Sequence, residues 1–262
     1  MLPLLAKGVL AAYFLATLFF LIYLVSQRRS LAVVSVWITA LGWIGHTLLL
    51  IGQTMTTGAL PLATMEQGMA FVAWALALAL LAFELRYRLH VLGSFILPLS
   101  FLLLLPSVVM PAGAGQTPAL FTSAWFGIHA VFSLLGFVSF AVAFIVGLMY
   151  LAQNRMLKTK RLNTMYEQLP SLELLDEMNR GAILIGFPLL TIGMLSGAIW
   201  SGQIKGVIWS WTPKQMLTLM TWFFYLLILH GRMNFGWRAK RAASLAIIGF
   251  IIVGVTFLFA FR

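Results

Sequence analysis

Eight runs of apolar residues recur along this chain of 262 residues, at about 4–25, 31–52, 66–83, 91–110, 120–151, 181–201, 215–231 and 243–261. Each is close to the ~20 residues that an α-helix needs to cross the hydrocarbon core of a bilayer. In lipid no water is available to the backbone N–H and C=O groups, and helices satisfy those groups internally. The expected fold is therefore all-α: a polytopic membrane bundle of about eight transmembrane helices, with 1–262 read as a single transmembrane domain. Composition excludes an ordinary soluble domain, because 62% of the residues are apolar and 9% charged, against about a quarter charged in soluble proteins. The first run, 2–25, is too long and continuous for a removable signal peptide and lacks a small-residue cleavage pattern, so it reads as the first span. The absence of cysteine excludes disulfides and thiol chemistry within the chain.

The basic residues give the chain a direction. Assigned to alternate loops, Arg28, Arg29, Arg86, Arg88, Arg155, Lys158, Lys160, Arg161, Arg180, Arg232, Arg238, Lys240 and Arg241 fall on one side, and only Lys7, Lys205, Lys214 and Arg262 on the other. The richer side is cytoplasmic by the positive-inside rule, which places both termini outside the cytoplasm in a multi-pass protein of the cell (inner) membrane. The net charge of +11 thus reflects membrane topology and implies no nucleic-acid partner. The one long polar connection, 153–180, reads as a cytoplasmic amphipathic segment, with Leu157, Leu162, Met165 and Leu169 before Pro170-Ser171. It would lie on the membrane surface or form a solvated linker. Segment 106–118, rich in Pro, Gly and Ala, reads as a flexible outer turn.

Segment 202–215 is the outer loop with chemical character. Trp209, Trp211 and Lys214 lie in it and Trp200 just before it. Indole rings favour membrane boundaries, but three tryptophans around a Pro-Lys pair exceed what a belt requires. A flat apolar surface beside a lysine suits a planar amphiphile bearing carboxylates, and haem is the commonest such molecule in a membrane. Histidines inside a membrane are costly enough to be functional candidates. At 1.5 Å per residue, His46 lies about 22 Å from the inner end of the second span and His129 roughly 13 Å below the outer end of the fifth. Both fall in the outer half. His230 and His90 lie at the inner ends of the seventh and fourth spans. His90 follows Arg86, Tyr87 and Arg88 and is expected to snorkel toward the interface. Arg232, Trp237 and Arg238 read as surface anchors, and Ser133, Gly136, Ser139 and Gly147 as sites of close helix packing.

The run Trp209-Ser210-Trp211-Thr212-Pro213-Lys214-Gln215 resembles the tryptophan-rich signature of the cytochrome c assembly proteins, approximately W-x-W-D-P-K-E. Thr212 and Gln215 stand at its two acidic positions. The flanks Gly186-Phe187-Pro188-Leu189-Leu190-Thr191-Ile192-Gly193 and Leu229-His230-Gly231-Arg232 extend the resemblance over roughly 119–255. It implies an outer haem site involving His129, in Trp125-Phe126-Gly127-Ile128-His129, and a site within the membrane involving His230. His46, in Trp43-Ile44-Gly45-His46-Thr47, resembles a position in the shorter eight-span branch associated with tetrapyrrole-synthesis operons. No histidine follows His230, so His46 is the candidate second ligand for His129, with Thr47 as a candidate support.

The leading reading is a haem-handling membrane protein. It would hold non-covalent b-type haem, through His46 and His129 at the outer site and through His230 at the site within the membrane, with Trp200, Trp209, Trp211 and Lys214 against the porphyrin, and present or move it toward the outer face. Delivery by ligation needs no catalytic residue. Covalent attachment to a cytochrome would fall to a partner, another membrane protein of the haem or cytochrome c pathway. The alternative is a regulatory or accessory protein of tetrapyrrole synthesis that keeps the fold without haem delivery. A solute permease is disfavoured, since only Glu66 and Glu84 lie near spans, both at their ends.

Overall fold

A computed structural model describes residues 2–110, 119–160, 164–237 and 239–260. Nine α-helices form among them: α1 (Leu2–Ser26), α2 (Arg29–Thr57), α3 (Met65–Tyr87), α4 (Gly93–Val109), α5 (Ala124–Lys158), α6 (Thr164–Gln168), α7 (Leu172–Lys205), α8 (Pro213–Asn234) and α9 (Ala239–Ala260). All but α6 are long and apolar enough to cross a membrane, α4 together with the 3₁₀ turn His90–Leu92 that leads into it, and no strand occurs among the described residues. The protein is an all-α, multi-pass membrane bundle, as its apolar runs predict. Of segment 106–118, residues 106–109 continue α4 instead of turning, and 111–118, together with Arg161, Leu162, Arg238 and Arg262, lie outside the described residues.

The chain divides into two compact units, 1–122 and 123–262. In the first, α1 packs on α2 and α4, and α3 on α4. The ring of Tyr13 lies against Gly42, where a β-carbon would come within 3.0 Å of it. Ser94 donates to the Phe20 carbonyl at 2.9 Å, tying α4 to α1. A capping box opens α3: Gln67 N–H donates to the Thr64 hydroxyl, and Thr64 N–H donates to the Gln67 side-chain oxygen. His90 does not snorkel. Its Nδ1 lies 2.9 Å from Oε2 of the buried Glu84, and its ring stands edge-on to Tyr23, because a carboxylate turned inward at the end of α3 offers a closer partner than water does.

In the second unit α5 packs chiefly on α7 and α9, through the small residues read from the sequence. A β-carbon at Gly136 would lie 3.1 Å from the Leu190 nitrogen on α7, and one at Gly147 would lie 3.1 Å from the Ala243 carbonyl on α9. Phe140 and Tyr225 stack with centroids 3.6 Å apart. Helix α7 starts at Leu172, well before the expected 181, with Ser171 accepting from Leu174 N–H at its N-cap. Its polar first turns are taken up by a part-buried network. Arg232 donates to Asn179 Oδ1 at 3.1 Å and pairs with Asp176, while Asn179 donates to the Ala143 carbonyl at 2.7 Å. Arg232 is thus not a surface anchor; its guanidinium joins α8 to α7 and, through Asn179, to α5. Trp237 also turns inward: it lies against Gly231, and the Arg241 guanidinium covers its ring at 4.0 Å.

Candidate functional site

His129 lies in the second turn of α5, facing α7. Its Nδ1 is 2.7 Å from the Gly193 carbonyl. A carbonyl only accepts, so Nδ1 carries the proton and Nε2 keeps its lone pair. The indole of Trp200 lies nearly parallel to the imidazole, 17° between planes at 6.1 Å, and Phe126 packs on that indole at 5.1 Å. Room for the ring comes from glycine. A β-carbon at Gly197 would sit 2.5 Å from Nδ1, and one at Gly193 would collide with Ser133. Gly193 and Gly197, four residues apart on one face of α7, form a small-xxx-small surface. Sequence reading passes over Gly197, and the signal available for it is this spacing opposite a histidine.

Helix α7 ends at Gly206, whose φ of +67° is the left-handed C-cap that glycine adopts most easily. The chain then returns to α8 through 207–212. Trp211 also has a left-handed φ, +52°, which costs a non-glycine residue roughly 1–2 kcal/mol. Its side chain is 68% exposed and meets Trp209 edge-to-face at 6.0 Å. The turn is fixed by the residues at the signature's acidic positions. Thr212 is the N-cap of α8 and accepts from Gln215 N–H, Pro213 opens the helix, and Gln215 Oε1 accepts from Ser210 N–H at 2.9 Å. Threonine and glutamine therefore perform the capping for which aspartate and glutamate are equally suited. Lys214, one residue into that helix, is within electrostatic range of His129.

His46 belongs to the first unit. It is completely buried, with Nδ1 3.4 Å from the Tyr13 hydroxyl and with no protein partner for Nε2. The expected support from Thr47 is not made. Thr47 donates to the Trp43 carbonyl and accepts from Trp74 Nε1, both at 2.9 Å. The neighbour that sequence reading misses is Tyr13, a polar tip buried in the first span.

His230 stands apart from the His129 cluster. It is sixteen residues beyond Lys214 on α8, about 24 Å along the axis, and exposed. Its Nδ1 is 2.8 Å from the Asn234 amide nitrogen, an arrangement in which Nδ1 accepts and Nε2 carries the proton. No cluster of three or more His, Cys, Asp or Glu residues suited to a bare metal ion occurs among the described residues. Among the described residues, His46 in the first unit has no partner for Nε2, and His129 in the second is bonded through Nδ1.

Comparison with known proteins agrees with the resemblance. Residues 62–261 match the family described as cytochrome C assembly protein. The cytochrome c biogenesis protein CcsA of Guillardia theta is 29% identical over 240 residues, covering 84% of this chain and 79% of that one. CcsA of Prochlorococcus marinus (strain MIT 9312) is 28% identical over 281 residues, covering 98% and 90%. Among solved structures, the cytochrome c haem lyase CcmF superposes on the whole of this chain with a TM-score of 0.69 at 17% identity, a likeness of fold. This chain spans about half of that structure, 49%. With its signature loop, its span pattern and three-quarters of its length matching, the chain belongs to the cytochrome c assembly protein family.

Proposed function

We propose that this protein handles haem in cytochrome c biogenesis, binding b-type haem non-covalently with His46 and His129 each as a ligand and the segment from Trp209 to Lys214 against the porphyrin, and presenting it at the outer face of the inner membrane. The observation that carries the reading is the pair of uncommitted imidazole nitrogens. A buried polar atom without a partner costs about 1–3 kcal/mol, and a ligand to His46 Nε2 removes that cost. His129 is prepared in the complementary way, its Nδ1–H committed to Gly193 and its ring clamped beside Trp200. That second-sphere bond fixes both tautomer and orientation for metal ligation. Bound haem would supply an iron that neutral imidazole can ligate. His46 and His129 would ligate it, and Lys214 and the tryptophans would meet its propionates and apolar face.

The reading assigns no covalent chemistry to this chain. Attachment to a cytochrome is left to a partner, a further membrane protein of the pathway. His230, exposed and with its Nε2 protonated, would serve a separate site within the membrane after releasing Asn234. The purified full-length protein should show a Soret band with low-spin bis-imidazole features. A protein that purifies folded and colourless, and takes up no added haem, overturns the reading in favour of an accessory role in tetrapyrrole synthesis. Sidedness has its own test: a reporter fused after Gly202 should appear outside the cytoplasm and one fused after Thr159 inside. The reverse pattern would place both histidines in the inner half of the membrane.

A further inference from the structure

Where α8 gives way to α9, Phe235, Trp237, Lys240, Arg241, Ser244 and Leu245 line an open groove of about 620 Å³. Its polar and apolar parts are segregated. Lys240 and Arg241 are both exposed, and among the described residues neither pairs with a carboxylate, since the ion pairs formed there are Glu84 with His90 and Asp176 with Arg232. Trp237 floors the groove beneath Arg241 and is itself fixed against Gly231. Beyond Leu245, α9 carries Ile248, Ile251, Val255 and Leu258 exposed at three- and four-residue spacing. They form one apolar stripe that runs about 15 Å from Ile248 to Leu258. Two unpaired cations thus sit at the head of an apolar track of acyl-chain dimensions.

We propose that this groove binds an anionic phospholipid, with its phosphodiester headgroup between Lys240 and Arg241 and its acyl chains along the α9 stripe. A free phosphate would gain the two charges and nothing from the stripe. A zwitterionic lipid would gain the stripe but bring its own cation to the two already present. The basic end of the bundle is also the cytoplasmic end by the positive-inside rule, where basic pockets between helices hold anionic headgroups. The inference does not depend on haem binding.

The test is native mass spectrometry of the detergent-purified full chain titrated with phosphatidylglycerol or phosphatidylcholine of equal chain length. Phosphatidylglycerol should be retained at least tenfold more strongly. In Lys240→Gln/Arg241→Gln its affinity should fall roughly thirtyfold, two surface charges' worth, to the phosphatidylcholine level. Arg28→Gln/Arg29→Gln, which removes the same charge from the first unit, should bind as the parent does. Because all four residues are exposed, unchanged helicity by circular dichroism checks each variant. Inorganic phosphate and glycerol phosphate should not displace the lipid. Displacement by either would make this a soluble-anion site and overturn the proposal. So would unchanged lipid binding in the groove variant, or equal loss in both variants.

Discussion

Alanine at either His46 or His129 should convert a six-coordinate low-spin haem spectrum to a five-coordinate one or abolish binding, whereas alanine at His230 should leave that spectrum intact. The expected loss is large because, under the proposed pairing, each imidazole would be one of only two protein ligands. Loss of a mere supporting residue typically weakens metal binding by about 10–100-fold, and loss of a ligand should exceed that. The contrast with His230 follows from hydrogen bonding: His46 Nε2 has no partner and His129 Nδ1–H is spent on Gly193, while His230 Nδ1 is occupied by Asn234. Imidazole added to the His129 variant should restore low-spin character by occupying the space the side chain leaves, a recovery that a misfolded variant would not show. If both single variants keep an unchanged low-spin spectrum, the pairing is wrong and His230 becomes the better ligand.

Gly197→Ala should impair haem binding about tenfold or more without unfolding the protein. In a helix interior, glycine to alanine ordinarily stabilises by about 1 kcal/mol. At Gly197 the new β-carbon would lie 2.5 Å from His129 Nδ1, so the ring must move by close to 1 Å to regain van der Waals distance. That shift strains the bond to the Gly193 carbonyl, worth about 0.5–1.5 kcal/mol net, and releases the tautomer. The control is on the same helix. A β-carbon at Gly181 would meet nothing within 4 Å, so Gly181→Ala should be neutral or slightly stabilising and leave the spectrum alone. Equal behaviour of the two variants would show that the glycine surface does not position His129.

The spans are legible because apolar runs near the bilayer thickness leave little choice of structure, and the small residues on α5 because close packing needs them there. What cannot be read are contacts between residues far apart in sequence. Tyr13 meets His46 across 33 positions, and Arg232 meets Asp176 across 56. The second pair explains why α7 begins earlier than its hydropathy suggests. Glu173, Asp176, Glu177 and Arg180 interrupt the apolar run, yet Asp176 and Asn179 find partners on α8 and α5 that let the helix continue. His90 misleads for a similar reason, since a basic local sequence suggests the interface while Glu84 draws the ring inward. Thr212 and Gln215 stand in the sequence as absent charge, although their spacing is the capping-box pattern that Thr64 and Gln67 repeat at α3.

That uncharged cap has a consequence for acidification. Where aspartate and glutamate hold such a helix start, the cap hydrogen bonds fail once the carboxylates protonate, in the region of pH 4. Neither the Thr212 hydroxyl nor the Gln215 amide titrates, so the junction between the tryptophan loop and α8 keeps its geometry in an acidic compartment. The placement of Lys214 in the first turn of α8 is kept with it.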